Sequence, residues 1–237
     1  MRRLVVAATV ALAVPAVAVC IGGALPEATG GTVPGASATT PPTGSVVRAA
    51  PYLALGWGSP PPPTDVMAAT GIRGFTLAFV LAGHGCTPLW DGTRPLLGGT
   101  DAATIAGIRA AGGDVSASFG GWSGRKLGSA CRTPAALAGA YEQVVDAYGL
   151  QAVDVDIEHG EFTSARLRQR VVAALELLRA ARPGVAVTVT FGTTPSGPDA
   201  DGRSLIADAA ALGFQPDAWT IMPFDFCLLY TSPSPRD

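Results

Sequence analysis

Charge is scarce in this chain, and neither sign dominates. Only 14% of its 237 residues are Asp, Glu, Lys or Arg, 18 acidic against 16 basic, for a net charge of -2, and no basic run stands out. Nucleic acid and anionic membrane surfaces are held mainly by clustered Lys and Arg, so neither is an expected partner. No Gly-x-Gly-x-x-Gly fingerprint follows the first apolar run, which argues against a dinucleotide site. No acidic stretch places the loop glycine and final ligand of an EF-hand in register. Cysteine is sparse as well, with Cys20, Cys86, Cys131 and Cys227 only. What is plentiful is apolar side chain, at 48% of residues, enough for one domain with a core of its own.

The two ends read differently from the middle. Met1-Arg2-Arg3 opens a nearly unbroken apolar run from Leu4 to Ala24, interrupted by Pro15. This is the pattern of an export signal, with cleavage near Ala24 or Ala28. Left uncut, the run approaches the ~20 residues that span a bilayer, so a membrane anchor is the alternative. Lipid attachment at Cys20 is disfavoured by the bulky Val19 before it. Residues 29–50 are rich in Pro, Thr, Gly, Ser and Ala and bury too little apolar surface to order themselves, as in a tether. Residues 227–237, Cys-Leu-Leu-Tyr-Thr-Ser-Pro-Ser-Pro-Arg-Asp, read residue for residue as the translation of a transposase-type DNA sequencing adapter. On that expectation the natural protein continues beyond residue 226, and the fragment 51–226 alone is not a stable, active unit.

Between residues 51 and 226 apolar, strand-like runs alternate with amphipathic ones. The strand-like runs are Tyr52 to Trp57, Gly74 to Ala82, Gly113 to Phe119, Ala152 to Glu158, Val185 to Phe191 and Ala218 to Phe226. The helical stretches are Thr64 to Ala69, Asp101 to Ala111, Thr133 to Tyr148, Ser164 to Ala181 and Asp201 to Leu212. Thr133 with Pro134 makes a cap and first-turn pair, and Gly149 a stop. This alternation predicts an α/β fold with a parallel sheet covered on both faces. Of the open doubly wound sheet and the (β/α)8 TIM barrel, the barrel is favoured. About six βα units are present where a complete barrel of ~250 residues has eight.

One stretch stands apart. In Ala152-Val153-Asp154-Val155-Asp156-Ile157-Glu158, apolar and acidic residues alternate. A strand points successive side chains to opposite faces, so Asp154, Asp156 and Glu158 share one face. Three carboxylates so placed repel one another, and burial raises their pKa values. Acid chemistry is one use for such a ladder. Holding a cation with hard oxygen ligands is the other.

Two further motifs lie on neighbouring strands, Ser118-Phe119-Gly120-Gly121 and Met222-Pro223-Phe224-Asp225. Together with Asp154-Val155-Asp156-Ile157-Glu158 they resemble the Ser-x-Gly-Gly, Asp-x-x-Asp-x-Asp-x-Glu and Met-x-Tyr-Asp motifs of glycoside hydrolase family 18, the chitinase family. The resemblance covers residues 51–226 and is closest to compact secreted bacterial members, through Cys86-Thr87-Pro88 and Ala110 to Val115. There are two departures. Gln151 stands where the motif has its first Asp, and Phe224 stands where many members have Tyr.

The resemblance implies substrate-assisted, retaining cleavage of N-acetylglucosamine β-1,4 linkages, as in chitin. Glu158 is then the general acid and base. Asp156 stabilises the acetamido group, Asp154 shares its proton or raises its pKa, and Asp225 orients the acetamido group. Met222 and Phe224 fall in the substrate-binding motif, and the family's Tyr hydroxyl at position 224 is missing. Gly120 and Gly121 leave room for sugar. Trp57 and Trp122 are candidate stacking faces, with core packing as the alternative. Trp219 is read either way. Trp90 and His84 are expected in loops, and His159 beside Glu158 or at the surface. Cys86 and Cys131, in loops after adjacent strands, are expected to pair if the protein is exported. The expected partner is chitin or a related polysaccharide, acted on by a monomer, and neither cofactor nor metal is expected. The alternatives are an endo-β-N-acetylglucosaminidase, or a chitin-binding lectin that lacks turnover.

Overall fold

The computed structural model describes residues 50–224. The elements run β1 (Tyr52–Ala54), α1 (Pro63–Thr70), β2 (Gly74–Ala82), β3 (Pro88–Trp90), α2 (Gly99–Ala110), β4 (Asp114–Gly120), α3 (Leu127–Ala130), α4 (Pro134–Tyr148), β5 (Ala152–Ile157), α5 (His159–Thr163), α6 (Ala165–Ala181), β6 (Ala186–Gly192), α7 (Ala200–Ala211) and β7 (Ala218–Met222). The expected export signal, tether and tail lie outside the described residues, and so does Asp225.

Six strands pair in parallel in the order β1-β2-β4-β5-β6-β7, and β3 turns back antiparallel on β2. They form a half-barrel, the incomplete (β/α)8 architecture that the alternation predicts. The register is continuous from β4 to β7, with Gly120 opposite Asp156, Asp156 opposite Thr190, and Thr190 opposite Thr220. One irregularity occurs, between Leu77 and Val80 of β2. There the Phe79 carbonyl accepts from Asp91 N–H at 2.8 Å.

The outer face of the sheet is covered by helices whose apolar residues recur every three or four positions, as one buried helix face requires. Helix α4 buries Leu137, Tyr141, Val144 and Tyr148, and α6 buries Val171, Leu175 and Leu178. They pack on Val153, Val155 and Ile157, the apolar face of β5. Tyr141 lies against Phe119 of β4, ring centroids 4.5 Å apart. The start of α4 is built as expected. Ala136 N–H donates to Thr133 Oγ1 at 3.1 Å, Pro134 takes the first turn, and Gly149 ends the helix in the left-handed region at φ 57°.

Trp90 corrects the loop expectation. It ends β3, is 1% exposed, and donates Nε1–H to the Tyr148 hydroxyl at 3.0 Å. A large apolar ring with one donor gains most where both are satisfied, and the hairpin supplies that place. Within the described residues the other expected strands and helices match to within a few residues at their ends, and the end of the run Ala218 to Phe226 lies outside them.

Cys86 and Cys131 form a disulfide with Cα atoms 4.8 Å apart, tying the turn after β2 to the end of α3 across 45 residues. Closing a loop of that length removes denatured-state entropy worth about 4 kcal/mol. The double variant Cys86→Ala/Cys131→Ala is expected to lose stability on that scale. Equilibrium urea unfolding of the full-length protein, with and without reductant, measures it.

Candidate active site

Strand β5 carries the acidic ladder from the interior of the half-barrel to its rim. Two residues of strand rise about 7 Å, so Asp154 lies deep, Asp156 one step higher, and Glu158 at the tip. All three are buried, at 5%, 3% and 8% exposure. Glu158 lies just past the last strand residue, at the turn into α5, with extended backbone.

Asp154 accepts hydroxyls from three other strands. Ser118 Oγ of β4 donates to its Oδ2 at 2.5 Å, and Tyr52 Oη of β1 donates to the same oxygen at 2.8 Å. Thr190 Oγ1 of β6 donates to Oδ1 at 2.6 Å. Burial raises its pKa, and the hydrogen bonds from Ser118, Thr190 and Tyr52 pull the other way. Burial, followed by the charges of Asp154 and Asp156, holds the Tyr52 phenol in its neutral, donating form. The ladder's deepest carboxylate is therefore fixed from three other strands.

Asp156 is positioned through its backbone. Its carbonyl accepts from Gly121 N–H at 2.9 Å. Gly120 has φ 102°, and a Cβ there would sit 2.1 Å from the Asp156 oxygen. Gly121 has φ 78°, and a Cβ there would meet the Phe79 ring at 2.6 Å. The sequence reading assigns both glycines to sugar clearance. In the structure they are required by protein packing, one against β5 and one against β2.

Around the rim, Trp122 follows β4 and is half exposed. Its ring centroid lies 3.7 Å from that of His159, whose φ is 50°. Trp57 follows β1 and is also half exposed, as a sugar-stacking face must be. Trp219 packs edge-on to Phe191, and so belongs to the wall of the sheet. Met222 ends β7 opposite Gly192, and Phe224, two residues on, is 44% exposed. The expected role of Asp225 lies outside the described residues.

Four contributors escape the sequence reading. Tyr52 and Thr190 join Ser118, the first residue of the Ser-x-Gly-Gly motif, in supplying hydroxyls to Asp154, and Lys126 and Glu161 lie buried beside the ladder. Thr188 and Thr190 alternate with apolar residues on β6, a signal that one face of that strand is polar. Glu161 has no such signal.

Burial pushes the Glu161 carboxyl from the ordinary range near 4.5 up to about 7, against the Lys126 charge and the Gly128 and Ser129 amides. A carboxyl raised on folding stabilises the folded state fully below its unfolded pKa, and that stability is lost as pH rises through the folded value. Between about pH 4.5 and 7 the loss is on the order of 3 kcal/mol. Urea midpoints across that window should fall in wild type and stay flatter in Glu161→Gln.

Among the described residues, no three His, Cys, Asp or Glu side chains are grouped to hold a metal ion. The ladder steps apart along the strand, and both Asp154 oxygens already accept protein hydroxyls. A proton-transfer site, with one buried glutamate at the rim above two aspartates, is what the geometry supports.

No family model matches the chain. It is 27% identical over 184 residues to a probable bifunctional chitinase/lysozyme of Escherichia coli (strain K12), covering 75% of this chain and 20% of that protein. Among solved structures it is similar to the catalytic domain of a hyperthermophilic chitinase from Pyrococcus furiosus, at 31% identity and a TM-score of 0.66. It is equally similar in TM-score, at 30% identity, to catalytic-site mutants of active domain 2 of a thermostable Pyrococcus furiosus chitinase complexed with chito-oligosaccharides. Both matches cover 75% of this chain and 57% of the solved chain. The chain thus spans about a fifth of the curated relative and little over half of the solved domains. In sequence and in fold it is chitinase-like.

Proposed function

We propose that this chain is part of an exported glycoside hydrolase of family 18 that cleaves β-1,4 linkages in chitin or a related N-acetylglucosamine polymer. The observation that carries the reading is Glu158, buried at the open tip of β5 directly above Asp156 and Asp154. The crystallised Pyrococcus furiosus relative complexed with chito-oligosaccharides supports the substrate class.

The reaction then runs in two steps. Protonated Glu158 gives its proton to the glycosidic oxygen as the bond from that oxygen to the anomeric carbon breaks. The acetamido oxygen of the same sugar attacks that carbon from the opposite face and closes an oxazolinium ring. Asp156 accepts the acetamido N–H and faces the positive charge that develops. Water next attacks the anomeric carbon, Glu158 takes its proton, and the ring reopens with retained configuration. Asp154 does not touch the sugar. Its three hydroxyl donors fix the floor on which Asp156 stands. Trp57 and Trp122 offer exposed rings to neighbouring sugar units.

Phe224 favours a second reading, a chitin-binding protein without turnover, because a phenyl ring has no hydroxyl for the acetamido group. Release of a fluorophore from a chitobiose glycoside by the full-length protein separates the two. Turnover supports the hydrolase, and chitin binding without release supports the lectin.

A further inference from the structure

Behind the rim, two more charged side chains are buried where nothing in the reaction above uses them. Lys126, just before α3, is 6% exposed, and Glu161, on α5, is 3% exposed. Charges are rarely buried without partners, because leaving water is costly for each of them. The Lys126 ammonium donates to the Ser123 carbonyl. Burial pulls the Lys126 pKa down, and the charges of Glu161, Glu158 and Asp156, in that order, pull the other way. One cation therefore serves three carboxyls on two elements.

Glu161 is clamped in place. A Cβ at Gly128 would lie 2.3 Å from Glu161 Oε1 and 2.8 Å from Val171 Cγ2, so only glycine lets α3 approach. Oε1 itself is buried without a hydrogen-bond partner among the described residues. An oxygen in that state is better accommodated when its carboxyl holds a proton than when it carries charge. The groups around it are few. The Gly128 and Ser129 amides face it from α3, and the buried Tyr141 phenol feels its charge from α4. Helix α6 presents the apolar Val171. The Arg168 guanidinium of α6 is held by Asp208, Asp201 and the Phe162 carbonyl, and Arg170 is held by the Gly128 and Cys131 carbonyls. On its own segment lie Glu158 and the exposed His159, whose ring rests on Trp122.

We propose that Lys126 and Glu161 are positioning residues for Glu158: Glu161 draws on the same buried ammonium, and its ionisation keeps the proton on Glu158 as the medium becomes more alkaline. The proposal rests on the role given to Glu158 above. The sign follows from charge alone. While Glu161 is neutral, Lys126 favours the carboxylate form of Glu158. Once Glu161 ionises, its negative charge offsets the ammonium and disfavours a second negative charge at the rim. The two carboxyls then titrate as a coupled pair. The working range of the general acid extends upward.

Carboxyl carbon NMR titration of the full-length protein tests this, alongside the pH profile of kcat/KM on a chito-oligosaccharide, whose leaving group needs the proton. In wild type the Glu158 curve is expected to bend a second time at the Glu161 midpoint. Glu161→Gln should remove that inflection and move both the Glu158 midpoint and the alkaline limb down by about one pH unit, a tenfold change in the proton constant. Lys126→Met should move them up by a similar amount, and Lys126→Arg should restore the wild-type limb. A purely structural role would change melting temperature and leave the limb in place. A single-step Glu158 curve in wild type overturns the proposal, even if no variant folds. Coupled curves without turnover would instead sink the hydrolase reading and leave the pair standing.

Discussion

Glu158→Gln in the full-length protein is expected to lower kcat on a chito-oligosaccharide by about 10³-fold, with KM nearly unchanged. The amide keeps the shape and burial of the carboxyl at the tip of β5 but has no proton to give. General acid–base groups contribute 10²- to 10⁴-fold, and the lost interaction exists only in the transition state, so the loss belongs in kcat. A glycoside with a phenolate leaving group needs little protonation, and its first step should suffer far less. Steady-state rates on both substrates measure the contrast. Activity within tenfold of wild type on the natural linkage would remove Glu158 from the role of acid.

Gly120→Ala is the second large effect. The backbone there has φ 102°, and the added methyl carbon would stand 2.1 Å from the Asp156 carbonyl oxygen. Neither partner is a flexible side chain that can swing aside. The register pairs Gly120 with Asp156 directly, so relief requires β4 and β5 to separate at the floor of the site. Strain at such a backbone position together with the steric clash should remove about 4 kcal/mol of stability. Displacing Asp156 by ~1 Å would lower turnover by a further 10²-fold. Gly149→Ala is the comparison, since φ there is 57° and the space around it is open. It should lose only about 1–2 kcal/mol, without a change in kcat. Urea unfolding and turnover of the two variants decide between packing and sugar clearance as the reason for glycine at 120.

Strand β2 was legible to the residue, because a nine-residue apolar run flanked by turn residues has few other readings. The ladder was legible because a period of two is a strand's own signature. β3 was not legible, since three residues carry too little pattern, and its Trp90 looked like loop because its partner Tyr148 lies 58 positions away. α5 was hidden for the same reason of length. Glu161 looks like any surface acid one turn past Glu158, and only the approach of α3 and α6 buries it. The Asp154 hydroxyls come from three separate strands, and no local window holds all of them. Phe224 was readable as a missing hydroxyl.

Tyr52, Ser118 and Thr190 reach Asp154 from β1, β4 and β6. Flattening the sheet would pull those three side chains off one carboxylate, so its bend is written into its own lining and does not wait for a closing seam. A polar pin of this kind acts as a template for curvature. It holds the arc to which any further strands must conform.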